Sequence, residues 1–126
     1  MSDEHGWDAI RALGRRVLEG GTPLELTDDV RALLLRTAGE VAISNAHAVH
    51  ALATEAGALD LLRETIRRIS EGSRRLTRAL SLMYDHQRAG DYDTARQEMH
   101  AVLAVEVVPF YREIAQDQLD DMDEKP

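Results

Sequence analysis

The clearest feature of the chain is a run of apolar and small residues at regular spacing through its middle. Leu59, Leu62, Ile66, Ile69, Ser73, Leu76, Leu80, Met83 and Gln87 follow one another at steps of three and four without a slip. Such steps hold one stripe along one side of an α-helix and form a heptad seam over four repeats. They predict a helix of about 45 Å at 1.5 Å rise per residue. Gly72 and Ser73 fall at its middle. A break there would reset the phase, and the phase holds. The pattern therefore predicts a continuous helix, with a kink or a close crossing by another helix at Gly72.

Helical spacing continues on both sides. Trp7, Ile10, Leu13 and Val17 mark a first helix over about Asp3 to Glu19, stopped by Gly20 and Gly21. Pro23 forbids helix in the link that follows. Thr27 reads as an N-cap before the acidic first turn Asp28–Asp29, and Val30, Leu33, Leu34, Ala38 and Val41 form the next stripe. Ser44 and Asn45 read as a break and a new cap for a short alanine-rich helix over about Ala46 to Thr54, with Gly57 marking a turn. Gly90 and Asp91 end the long helix. A last helix starts near Tyr92 with Ala95, Met99, Val102, Leu103, Phe110 and Ile114 on its apolar face. Pro109 inside it predicts a kink or a short interruption near Val105 to Val108. After Leu119 the chain turns acidic, which predicts a frayed tail over 120–126.

The expected fold is all-α: a bundle of about four or five helices in one domain over residues 1–119. The long helix is its spine, and the chain after it packs back as an antiparallel helical hairpin.

Composition narrows the chemistry. With 126 residues, 44% hydrophobic and 30% charged, the chain can bury a core without staples. It has no cysteine, which excludes disulfides, thiol catalysis and thiolate zinc sites. The net charge of −8 disfavours nucleic acid, and no apolar stretch reaches the roughly 20 residues of a membrane helix. The polar start, Met1 to Asp8, lacks the pattern of a secretory signal, so the expected location is cytoplasmic. Lys125 is the one lysine; the other basic residues are arginines.

The stretches WDAIRALGRRVLEGGTPLELTDDVRALLLRTAGEVAIS, RISEGSRRLTRALSLMYDHQRAGDYDTARQEM and VLAVEVVPFYREIAQDQL resemble the DUSAM family, a myxobacterial domain of unknown function with many paralogues. The resemblance covers about Trp7 to Leu119, with Leu-Glu-Leu-Thr, Glu-Gly-Ser, Ala-Gly-Asp and Val-Glu-Val-Val-Pro as its distinctive phrases. It implies no activity and no functional residues. Many paralogues would suit a partner-specific adaptor or regulator. Locally, Ala89 to Arg96 is similar to the interhelix turn of a tetratricopeptide repeat; there is one such turn and no repeat period, so no array is implied.

Four sets of polar residues are candidates for function. His47 and His50 stand three apart on a predicted helix and could face one metal ion, with Glu40, Glu55, His86 or His100 completing the set. The motif alone is short of a full ligand set, so no metal or cofactor is expected. Asp85 and His86 are neighbours in sequence but point about 100° apart on a helix, so they do not form an acid–base pair. Arg63, Arg67, Arg68, Arg74, Arg75 and Arg78 form a basic band on the long helix. It is either a solvated face paired with Glu64 and Glu71 or a docking surface for an acidic partner, including the chain's own acidic tail. Glu106 falls on the apolar stripe between Leu103 and Phe110. Either Pro109 turns it out to water, or it is buried and held by an arginine or a tyrosine hydroxyl.

Together these features point to a non-enzymatic module for protein–protein interaction or regulation, binding an unidentified protein or itself. Two other readings stand beside it: a histidine-based metal protein or enzyme, and a homo-oligomer in which the long seam pairs between chains.

Overall fold

The computed structural model describes residues 6–124, and among them there are helices and no strands. The chain divides into two compact units, one up to Ile69 and one from Ser70. The division falls inside the long helix.

In the first unit, α1 (Asp8–Gly14) continues into a wider turn over Arg15–Glu19. The helix opens at Asp8, later than the pattern predicts. Trp7 is its N-cap residue, fully buried, with the indole Nε1 donating to Glu40 Oε1 at 3.0 Å. Residues 3–5 of the expected helix lie outside the described residues. Thr27 caps α2 (Asp28–Glu40) as expected, its hydroxyl accepting from the Val30 N–H at 3.2 Å. α2 closes through Ala42, whose φ of 69° is left-handed, and the Ile43 N–H returns to the Ala38 carbonyl at 2.9 Å. An alanine does here what glycine usually does. Ser44 caps α3 (Asn45–Ala51), which stops three residues short of the predicted end.

The turn expected at Gly57 is not there. Thr54 instead caps α4 (Glu55–Arg88), accepting from the Gly57 N–H at 2.9 Å, and Gly57 sits in the first helical turn. It is glycine for want of space, because a Cβ would stand 2.3 Å from the Ala51 carbonyl oxygen.

α4 is continuous through Gly72. Its most buried line is Ala58, Leu62, Thr65, Ile69, Gly72, Leu76, Ala79 and Met83, again at steps of four and three. Alternate members of the expected seam (Leu59, Ile66, Ser73, Leu80) are only half-buried and flank that line. The four residues that replace them, Ala58, Thr65, Gly72 and Ala79, are small and stand seven apart. Small side chains let neighbouring elements approach the helix closely. A pattern search for bulky residues finds the edge of such a seam rather than its centre.

In the second unit, Gly90 (φ 80°) ends α4, with the Asp91 N–H returning to the His86 carbonyl at 2.9 Å. Asp91 then caps α5 (Tyr92–Val105) through the Thr94 N–H and hydroxyl. His86 and Glu98 meet across this turn, so the end of α4 and α5 form the expected antiparallel hairpin. α5 is interrupted where expected. Residues 106–108 are extended, and Pro109 opens α6 (Pro109–Asp123).

The interruption resets the phase. α6 buries Tyr111, Ala115, Leu119 and Met122, while the expected Phe110 and Ile114 are only half-buried. The acidic stretch after Leu119 is helical to Asp123. Met122 is fully buried, and its carbonyl accepts from Arg96 Nη2 at 2.9 Å. A frayed tail therefore does not begin at residue 120, because Met122, one turn past Leu119, holds the end down. Among the described residues no helix is long and apolar enough to cross a membrane.

Three substitutions probe α4. Leu76→Ala empties a buried position and is expected to destabilise by roughly 2–4 kcal/mol. Gly72→Ala places a Cβ 2.4 Å from the Tyr111 ring and 2.9 Å from Glu106 Oε1, and overpacking of this kind is expected to cost about 1–3 kcal/mol. Thr65 runs the other way. Its buried hydroxyl has no hydrogen-bond partner, so Thr65→Val is expected to be neutral or to stabilise by up to about 1 kcal/mol. Urea unfolding of the three variants checks the order.

Candidate functional site

The six arginines of the basic band do not act together. Their positions around α4 sort them, because a helix turns about 100° per residue. Arg63, Arg67, Arg74 and Arg78 are exposed on the side opposite the buried line. Arg68 and Arg75 each precede a buried residue, Ile69 or Leu76, and reach around the flank.

Arg68 donates to the Val41 carbonyl at 2.9 Å, where α2 ends, and to Glu64 at 2.7 Å. Arg67 holds the same carboxylate at 2.9 and 2.5 Å. The hydrogen bond from Arg67 is the largest influence on Glu64, and with Arg68 it outweighs partial burial and lowers the Glu64 carboxyl to about 2. Arg63 pairs with Asp60 at 3.5 Å, both well exposed, a geometry that contributes little. Arg74 and Arg78 have no side-chain hydrogen bond or ion pair among the described residues. Asp123 faces Arg96 at 3.5 Å.

Arg75 belongs to the second candidate, Glu106. The Glu106 side chain is 1% exposed, and Oε1 accepts from Arg75 Nη1 at 2.7 Å. Oε2 accepts from the Val107 and Val108 N–H groups at 3.1 and 3.0 Å. Its backbone carbonyl accepts from Arg112 Nη1 at 2.8 Å, and the same nitrogen reaches the Leu103 carbonyl at 2.8 Å. Of the two expectations, burial with an arginine partner holds. Both carboxylate oxygens accept hydrogen bonds, Oε1 from Arg75 of α4 and Oε2 from the link between α5 and α6.

His47 and His50 are exposed on α3 and line an open cleft of about 660 Å³ with Asp60, Glu64 and Arg68 of α4. Among the described residues no three histidine, aspartate or glutamate side chains stand together as a metal ion would need. Asp85 pairs with Arg88, and His86 faces Glu98 at 3.5 Å, so the two neighbours point to different partners, as the helix angle predicts.

Two features escaped the sequence. Val105 and Val107, on either side of Glu106, are 61% and 50% exposed. The link alternates, with Glu106 and Val108 in and Val105 and Val107 out, a two-residue period too short to see in a helical context. The second is an acidic stripe on α6. Glu113, Asp117, Asp120 and Glu124, at steps of four, three and four, are all exposed opposite the buried face. It was hidden while α6 was read in the phase of α5.

Glu106→Ala is expected to cost on the order of 3 kcal/mol, because it strands Arg75 and two backbone donors. Glu106→Gln keeps one acceptor and should cost less; thermal unfolding of both separates a held carboxylate from a solvated one. For Glu64 the folded carboxyl titrates near 2, below its ordinary 4.5. Its contribution is therefore present above pH 4.5 and is lost as the pH falls toward 2. A third of that side chain is exposed, so the effect is held to about 1 kcal/mol or less. Glu64→Gln should flatten the stability profile in that window by this amount.

No curated protein and no solved structure matches the chain. Residues 5–122 match a family of proteins of unknown function, DUF2379. The chain therefore belongs to the DUF2379 family.

Proposed function

We propose that this chain is a non-catalytic protein-interaction module whose docking face is the outer side of α4 in the second unit. One observation carries the reading. In a chain with 23 acidic and 15 basic residues, Arg74 and Arg78 stand exposed, one turn apart, without an acidic partner among the described residues. Leu82, one turn further on the same side of α4, leaves 38% of its surface to water. Two guanidinium forks next to an exposed leucine suit an acidic protein surface better than a free anion. The resemblance to the DUSAM family, with its many paralogues, suits a module whose scaffold is kept and whose partner varies.

Affinity capture from the source cells with the full chain and with Arg74→Glu/Arg78→Glu tests this. The variant should fold, since both side chains are outside the core, and circular dichroism checks that it does. Proteins held by the parent and lost by the variant support the reading. Identical captures would remove this face as the docking site.

A further inference from the structure

The α4 arginines and the α6 acids are complementary, and both lie in the second unit. We propose that the partner of the Arg74–Arg78 face is α6 of a second copy of this chain. The inference rests on the interaction-module reading above and names its partner.

Three observations support it. First, Arg74 and Arg78 are four residues apart on α4, and so are Glu113 and Asp117 on α6. A four-residue step on each helix places charges about 6 Å apart along the axis, so the two rows match in spacing. Second, the α6 acids are as unpartnered as the arginines. Among the described residues none of the four makes an ion pair, and only Asp120 has a side-chain hydrogen bond, from Gln116 at 2.9 Å. Third, Arg75 and Arg96 are already taken, by Glu106 and by the end of α6. The exposed α4 pair is left for an outside carboxylate.

The arginine row and the acidic row sit on the outward sides of different helices. One copy therefore offers its arginines to the acids of the next and keeps its own acids for a third. The contact is head-to-tail and grows with concentration rather than closing as a symmetric pair. Leu82 adds apolar contact one turn beyond Arg78. Charge supplies most of the attraction, so salt weakens it.

Sedimentation of the purified full chain tests this, with Arg74→Glu/Arg78→Glu and Glu113→Arg/Asp117→Arg as the paired variants. At about 50 mM salt the parent's weight-average mass should rise above 14.1 kDa with concentration, and at about 500 mM association should weaken at least about tenfold. Each variant alone should stay at 14.1 kDa. An equimolar mixture of the two is complementary again at both contacts, reversed row to reversed row and native row to native row, so its weight-average mass should again rise above 14.1 kDa with concentration. A parent that stays monomeric overturns the inference. So does association that survives in either variant or in high salt, or a mixture that stays monomeric. A monomeric parent whose captured host proteins are still lost on Arg74→Glu/Arg78→Glu would remove the second copy and leave the interaction-module reading standing.

Discussion

A carboxylate taken out of water must be given donors, and much of the second unit is arranged around meeting that need at Glu106. Oε2 takes the N–H groups of Val107 and Val108, which can point at one atom only if the chain leaves helical geometry there. That departure ends α5 and lets Pro109, which lacks an N–H, open α6 without loss. Oε1 takes Arg75 from α4, and Gly72 leaves the space in which the carboxylate and the Tyr111 ring lie against the helix. Remove the carboxylate, and the link loses both the bonds that shape it and the charge that holds it to α4. An unpaired, half-buried arginine and two unmet backbone donors would follow.

The helices are legible in the sequence because their apolar spacing is local, and the interruption near Val105 to Val108 because proline forbids helix on its own terms. The long seam is legible too, displaced to one side. The true centre contains Ala58, Thr65, Gly72 and Ala79, residues too small to register as hydrophobic signal and important because they are small. The phase of α6 could not be read from α5, since three extended residues between them rotate the register by an amount the sequence does not state. Gly57 and Ala42 each depart from what their residue type usually signals. A glycine stood where only packing demanded it, and an alanine took the left-handed position that usually announces a helix end.

The candidate site was legible as a band and not as individuals. Six arginines within 16 positions look like one surface, yet each one's role depends on whether its side chain can reach an acceptor over the flank of α4. The expected self-pairing seam meets the same distinction. Leu62, Ile69, Leu76 and Met83 are covered by the chain itself, so the centre of the seam is not open to a second copy.

Arg68 and Arg75 show what the engaged arginines have in common. They stand seven residues apart at the same place on α4, and each bonds to the residue that ends another helix, Val41 after α2 and Glu106 after α5. Arg31 does the same for α3 at the Leu52 carbonyl, Arg112 for α5 at Leu103 and Glu106, and Arg96 for α6 at Met122. Helix C-termini expose unsatisfied carbonyls and a partial negative charge, so a cation there is favoured. Arginine suits the task better than lysine, because its fork can meet two acceptors at once from a fixed plane, as Arg112 Nη1 and Arg68 illustrate. A chain almost without lysine thus uses its arginines to close helices that end with no glycine at hand. Arg74 and Arg78, like Arg15, Arg16 and Arg36, close no helix and make no ion pair among the described residues; as a pair on one face of α4 they are the ones proposed to meet a partner.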